Sequence, residues 1–577
     1  MHNYDVSGLA GALSAHPAVK SVAELHPKKL AEPWAKERKV CHAYKLEIEL
    51  NGSPVQLYFG VRKSFPLCLP YIFLVKWDSF GILPHIETDG YICYAQEEGS
   101  LLDSGNAGGI VHEALDRATQ IVKDGISGTN HKDFIDEFGA YWDRLVKIKK
   151  YRSLVSPGDR VKRIHLYKEK SGQRYLADDE QSFKKFLHLP AHVAWKHYPA
   201  LYIPLAPGTL ITPPHPSKFW SLDEIHKIVL GSLIPGQQAE LSSLLSKPHH
   251  EEVILLSLPR LEDGETLIGI RFEGVQLEHP LKVGGRVSDI TPLLIERRDK
   301  EYLMPRGGSN LALRKKRVLL LGCGALGGPI ANELTRAGVS RLTVLDKDVL
   351  THENIYRHVL GLKHVGKTKV AGIKSDIESR LPYVEVLPVA SSLEDALGTK
   401  IKVGDYDLIV SALGNPTVEL AFNKFVHGTD SPPVIFTWLE PYGIGGHVVL
   451  TNMDCPQKGC LCCLYDNTDD VKDKRCRVSF AAPGQNFAKN IDGCRNVFTP
   501  FGSLDAVRTA ELATRLAIAT LTGDIKTNLI RSWKGDAMEF LKNGKKLAPR
   551  YSGSGNHVIE HVEYHHEECP VCNEANK

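Results

Sequence analysis

No uninterrupted apolar run in the 577-residue chain approaches the ~20 residues that a membrane-spanning helix requires. Met1-His2-Asn3-Tyr4-Asp5 also lacks the basic start and apolar stretch of an export signal, so a cytoplasmic protein with no membrane partner is expected. Neither sign of charge is in excess. A formal net charge of +3 creates no large field to gather nucleic acid or an anionic surface. A content of 42% hydrophobic and 24% charged residues excludes a disordered chain, and the length exceeds one ordinary core. What the chain does have is twelve cysteines. In a cytoplasmic protein these read as metal ligands or nucleophiles rather than structural disulfides.

Three stretches differ in pattern. Residues 1–155 read as an α+β domain: Tyr44–Leu50 and Val55–Phe59 flank Asn51-Gly52, a hairpin signal, and helices are expected over 108–124 and 134–150. Residues 156–305 read as a mixed α/β linker domain, with strands expected over 200–204, 253–258 and 267–272 and proline-rich joints between them. His249 and His250 lack a neighbouring ligand cluster and read as a solvated pair. From 306 to 577 the grammar becomes strand, tight turn, helix, strand, which predicts a Rossmann-like α/β domain with ligands at the strand carboxyl ends.

The turn after strand 317–321 carries Gly322, Gly324 and Gly327 in a Gly-x-Gly-x-x-Gly spacing. Backbone amides there and the following helix N-terminus suit phosphates, and Asp346 at the next strand end suits ribose hydroxyls. The glycines alone fit an NAD-dependent oxidoreductase equally well. Farther on, Cys460-x-x-Cys463 and Cys569-x-x-Cys572 offer four thiolates for a closed tetrahedral Zn2+ site, with Cys462 as a spare.

The residues after Asp346 separate the nucleotides. Asp346-x-Asp348, then Asn354-x-x-Arg357, then Gly366-x-x-Lys369 resembles the signature of ubiquitin-activating and molybdopterin/thiamine-biosynthesis adenylyltransferases. The resemblance implies ATP and Mg2+, with Asp346 on the ribose, Asp348 near the metal, and Asn354, Arg357 and Lys369 on the phosphates. It departs at Ala412-Leu413-Gly414-Asn415, where the family carries a further acid. The family also implies a homodimer with an arginine crossing the interface, for which Arg306 is the candidate, and a transfer cysteine at the position of Cys494, with Cys476 as its rival. Its zinc arrangement is similar to the paired Cys-x-x-Cys motifs.

Near the start, Leu83-Pro84-His85-Ile86 followed by Gly90-Tyr91-Ile92-Cys93 resembles the catalytic segment of ubiquitin-conjugating domains. His85 stands where that family has asparagine, eight residues before Cys93. It is expected to stabilise an oxyanion or to shape the loop. The order of the parts resembles the fused activating and conjugating transferases of bacterial CBASS anti-phage operons. That implies adenylation of a protein C-terminus, a CD-NTase (a cyclic-oligonucleotide synthase), a thioester relay from Cys494 to Cys93, and delivery to a target amine. A sulfur-carrier activator would share residues 315–577 but leave Cys93 without work, an NAD enzyme would explain only the glycines, and a scaffold would need no reactive cysteine.

Overall fold

A computed structural model describes residues 8–50, 52–245, 248–262, 264–455, 459–465, 476–490, 497–555 and 558–573. The chain divides into two compact units, one of residues 1–183 and 191–299 and the other of 184–190 and 300–577. Among the described residues no helix is long and apolar enough to cross a membrane.

The first unit opens with an antiparallel meander of β1 (Val19–Glu24), β2 (His42–Leu50), β3 (Ser53–Val61) and β4 (Tyr71–Leu74). Leu46, Ile48, Leu57 and Phe59 turn one face of this sheet toward the helix Ala107–Ser127, whose Val111, Leu115, Ala118 and Val122 recur at helical spacing. That helix begins under an Asn106 cap and stops at Gly128, which adopts the left-handed conformation. The next helix, Phe134–Trp142, is shorter than the sequence suggests. The basic residues after it do not continue the helix: Lys149–Ser153 becomes strand β5, which pairs with a strand of the following region.

The region expected to be mixed α/β holds the helices Glu180–Phe186, Leu222–Gly231 and Pro235–Leu244, and its strands close into a barrel that the sequence does not foretell. Seven strands form it in the order β10-β11-β5-β7-β6-β8-β9, namely β5, β6 (Lys162–Lys168), β7 (Arg174–Ala177), β8 (His197–Pro204), β9 (Glu251–Pro259), β10 (Glu265–Glu273) and β11 (Asp289–Arg297). Leu166, Tyr202, Leu255 and Leu293 belong to a cluster drawn from the barrel strands and Val155 just after β5. Residues of alternate register, among them Ile203, Ile254 and Ile270, pack with Phe138 and Trp142 of the preceding helix. The Trp142 indole N–H donates to the Leu293 carbonyl at 2.9 Å, which fixes that helix to the barrel. His249 contacts the buried Glu252 at 3.2 Å.

The second unit holds an eight-stranded sheet. Its order is β14 (Glu385–Val389), β13 (Arg341–Leu345), β12 (Arg317–Leu321), β15 (Leu408–Ser411), β16 (Val434–Leu439), β17 (Gly445–Thr451), β20 (Leu529–Lys534) and β21 (Ile559–His561), with a separate pair of β18 (Lys489–Asn490) and β19 (Val497–Phe498). β14 through β16 run parallel, and β17, β20 and β21 add on antiparallel. Alternation along each strand builds two cores. Val318, Leu320, Leu342 and Val410 pack under the helices Gly327–Ala337, Lys369–Arg380 and Ser503–Thr522. Leu319, Leu321, Ile409 and Phe436 pack on the other face with the helix Pro416–His427 and with Cys460, Cys463 and Cys569. β12 has β13 on one side and β15 on the other, so the chain reverses direction across the sheet there and leaves a crevice at the carboxyl ends.

Candidate functional site

The crevice is where the glycine turn lies. Gly322 has φ +87°, and a Cβ there would come within 2.6 Å of the Ala412 carbonyl, while a Cβ on Gly327 would sit 1.9 Å from the Gly322 carbonyl. Only glycine lets the β12 turn close against the end of β15. Asp346 fastens the turn: its carboxylate accepts from the Cys323 and Asp348 amides, both at 2.8 Å. His358 donates from Nε2 to the Cys323 carbonyl and accepts at Nδ1 from the Leu360 amide. Cys323 itself is fully buried, and burial pushes its thiol pKa well up, so it is a packing residue.

Two adjoining cavities flank the turn. One of about 220 Å3 is lined by Gly322, Gly324, Asp346, Asp348 and Lys369. The other, about 610 Å3, shares Gly324 and Lys369 and extends past Asn354, Arg357 and His358 to Trp438, Glu440, Cys476 and Ser479. Lys369 is mostly buried and its ammonium meets Asp348 at 2.7 Å, a fixed cation between the two spaces. Arg357 lies over the Phe501 ring at 5.9 Å. Every expected nucleotide residue except Gly327 thus lines a cavity, and Gly327 closes the turn. Glu419 was not legible in the sequence. It is buried at the start of helix Pro416–His427, accepts from the Ser411 hydroxyl at 2.7 Å, and has its pKa raised to about 7 by desolvation. It brings an acid to the larger cavity, whose Ala412–Gly414 wall has none. Arg306 is exposed, with its guanidinium over Tyr302.

On the opposite sheet face Cys460, Cys463, Cys569 and Cys572 converge, with all four sulfurs within 4.8 Å of one another. The Sγ atoms of Cys460 lie 4.0 Å from Cys463 and 3.6 Å from Cys569, and Cys463 lies 3.3 Å from Cys572. Tetrahedral thiolates about 2.3 Å from zinc are about 3.8 Å apart, so the donor set fits that ion. Hydrogen bonds among the four coupled thiols lower the pKa of Cys463 and Cys569 and raise that of Cys460, so the cluster divides into thiolate acceptors and thiol donors. Cys476 lines the larger cavity, but burial pushes its thiol to about 12. Cys494 lies outside the described residues.

In the first unit Cys93 is exposed, and its eight-residue distance from His85 has a backbone reason. Ile86 bridges Ile92, the Glu87 amide donates to the Tyr91 carbonyl at 2.8 Å, and the Cys93 amide donates to the His85 carbonyl at 2.8 Å. The segment is a short hairpin that returns Cys93 beside His85. His85 has φ +62°, an unfavourable conformation for a side chain with a Cβ. Its ring is held from both sides, Nε2 by Asp133 at 2.9 Å and Nδ1 by Glu137 at 2.8 Å, and these hydrogen bonds, Glu137 first, raise its pKa to about 9. Both N–H groups are thus occupied by carboxylates, an arrangement that suits shaping the loop better than donating to an oxyanion. Arg38 and Arg144 reach Glu87 from either side at 2.7 and 2.9 Å. Desolvation, then the negative charges of Glu137 and Glu87, raise the Cys93 pKa, while Arg144 and Arg38 pull the other way. None of these partners carries a local motif; they converge from three stretches, Arg38, the hairpin's own Glu87, and residues 133–144.

Residues 21–151 match the prokaryotic E2 family B, and residues 303–571 match the ThiF family. The ATP-dependent ubiquitin transferase-like protein Cap2 of Escherichia coli is 20% identical over 584 residues, spanning 92% of this chain and 93% of that protein. Cap2 of Pseudomonas aeruginosa is 24% identical over 293 residues, 49% of this chain and 48% of that protein. The adenylyltransferase and sulfurtransferase uba4 of Aspergillus clavatus is 34% identical over 154 residues, 26% of this chain and 29% of that protein. The chain therefore spans about half the length of the Pseudomonas relative, less than a third of the fungal one, and nearly all of the Escherichia coli one. Two stretches of one chain thus match, in order, the prokaryotic E2 family B and the ThiF family, and the chain as a whole is similar to the ATP-dependent ubiquitin transferase-like proteins.

Proposed function

We propose that the chain activates the C-terminus of a protein with ATP and conjugates it to an amine. The observation that carries this reading is the joining, in one chain, of an exposed hairpin thiol to a crevice where the glycine turn, Asp346, Arg357 and Lys369 meet. A C-terminal carboxylate oxygen attacks the α-phosphorus of ATP and pyrophosphate leaves. Arg357 and Lys369 offset the phosphate charge as it shifts, and Asp346 holds the ribose. Asp348, and in this chain Glu419, are the carboxylates available to Mg2+, which supplies charge neutralisation when bound. The Cys494 sulfur then displaces AMP from the acyl carbon, and the Cys93 sulfur displaces Cys494. Finally an amine nitrogen attacks the thioester, forming an amide, losing a proton and freeing Cys93.

Cys460, Cys463, Cys569 and Cys572 would hold zinc as a closed structural site, since four thiolates leave no open position for chemistry. The finer reading takes the substrate to be a CD-NTase in a CBASS operon, the enzyme to be a cytoplasmic homodimer, and residues 1–155, 156–305 and 306–577 to be its conjugating, linker and adenylating parts. The similarity to Cap2, an ATP-dependent ubiquitin transferase-like protein, supports the activating and conjugating core of this reading. Mass spectrometry of substrates trapped on the recombinant protein tests it by naming the modified C-terminus. With that partner, ATP–pyrophosphate exchange should require Mg2+ and vanish in Arg357→Ala and Lys369→Ala. Tight NADH binding without exchange would favour the oxidoreductase reading.

A further inference from the structure

One wall of the larger cavity is the segment 476–481; backbone bonds tie it to residues 464–465 and 547–548, and the one carboxylate that grips residues 479–481 from the sheet is Glu440. Glu440, at the end of β16 and only 3% exposed, accepts from the Ser479 hydroxyl at 2.8 Å, the Ala481 amide at 3.0 Å, the Phe480 amide, and His447 Nε2 at 2.8 Å. His447, wholly buried on β17, meets the Ser532 hydroxyl of β20 through Nδ1 at 2.8 Å and lies between Trp438 and Phe480, ring centroids at 5.0 and 5.2 Å. A buried carboxylate is tolerated when its lone pairs are filled, and here three of the four filling groups are the strap's own N–H and O–H donors. The Ser532-His447-Glu440 order superficially matches a hydrolytic triad. Its polarity is reversed: Ser532 is fully buried in the sheet, and the carboxylate is the member that lines the cavity.

The position of the strap assigns it to one half of the reaction. The smaller cavity holds the ribose acid Asp346, and the cations Arg357 and Lys369 mark where phosphates must lie. The strap residues Cys476, Ser479 and Ala481 line only the larger cavity, together with Trp438 and Glu440. This is the side left for the attacking carboxylate and its peptide. On the adenylation reading above, we propose that Glu440, braced by His447 and Ser532, is a positioning residue that sets the 476–481 strap as the wall guiding the substrate's C-terminal tail.

The experiment compares two probes on the full chain by calorimetry: 5′-O-sulfamoyladenosine, which fills only the nucleotide side, and its glycylglycyl acyl-sulfamate, which adds a peptide tail. Glu440→Gln should weaken the acyl-sulfamate tenfold or more while changing sulfamoyladenosine by less than about twofold, and hydrogen exchange at Phe480 and Ala481 should accelerate. His447→Gln should shift the same ratio by about threefold. Should Glu440→Gln fail to fold, Ser479→Ala removes one strap bond and is read by the same ratio. Equal weakening of both probes, or none, overturns the proposal. Failure of the wild-type chain to bind either probe instead overturns the adenylation reading on which it rests.

Discussion

Cys93 is exposed at the end of a hairpin's returning arm, while Cys460, Cys463 and Cys569 are buried against the Pro416–His427 helix. Around Cys93 the electrostatic partners are charged side chains of other types: after desolvation, Glu137 and Glu87 raise its pKa, and Arg144 and Arg38 oppose them. Around Cys460 the neighbours are other cysteines, and the charge of one thiolate is shared by hydrogen bonds from the next. The difference teaches that a cysteine's use is set by its second partner. Where that partner is another thiol the site suits a metal, and where it is a balanced field of ions the thiol stays protonated until chemistry demands otherwise.

The largest effect that would break the comparison concerns transfer. With substrate and ATP, Cys93→Ala should still accumulate a reductant-sensitive thioester at Cys494, whereas Cys494→Ala should retain adenylation and charge neither cysteine. Charging of Cys93 at the normal rate in Cys494→Ala, seen on non-reducing gels, would mean that the acyl group passes directly from the adenylate, and the relay would be wrong.

A smaller effect tests the buried cluster. Purified protein should contain about one zinc per chain, and Cys569→Ser should lose it together with at least about 4 kcal/mol of stability, the range of a lost metal site. Cys93→Ala should change neither. Metal analysis beside thermal unfolding reads both, and loss of zinc at unchanged melting temperature would remove the structural role.

The two sites were legible to different degrees. The clustered cysteines and the residues that line the crevice announce themselves because each group is carried by short local spacings: Cys-x-x-Cys, Gly-x-Gly-x-x-Gly, Asn-x-x-Arg. The Rossmann-like strands were legible too, since β12 is five residues of nearly pure apolar character. The barrel was not. β6 reads Lys-Arg-Ile-His-Leu-Tyr-Lys and β7 is four residues long, and such strands acquire their identity from cross-strand partners far away in sequence. The same reason hid Glu137, whose meaning depends on His85, and Glu440, whose meaning depends on a strap about forty residues later. The helix expected to reach Lys150 ends early because residues 149–153 gain a parallel pairing with β11 that helix propensity cannot foresee.

The smallest predicted effect sharpens what holds the Cys93 loop. His85 carries a pKa raised to about 9 against 6.5 for the free side chain, so its ion pairs with Asp133 and Glu137 stabilise the fold fully below about pH 6.5. That contribution must fade as pH rises through 9, where the folded-state histidine deprotonates. Charge-assisted hydrogen bonds of this kind contribute about 2 kcal/mol. His85→Gln should therefore lower the hydrogen-exchange protection of the Cys93 amide, which bonds the His85 carbonyl, by about 30-fold at pH 6. After correction for intrinsic exchange, wild type and variant should converge near pH 10. A difference that persisted undiminished at that pH would mean that the His85 ring shapes the loop by packing, and that the charge around Cys93 does not distinguish it from the buried thiols.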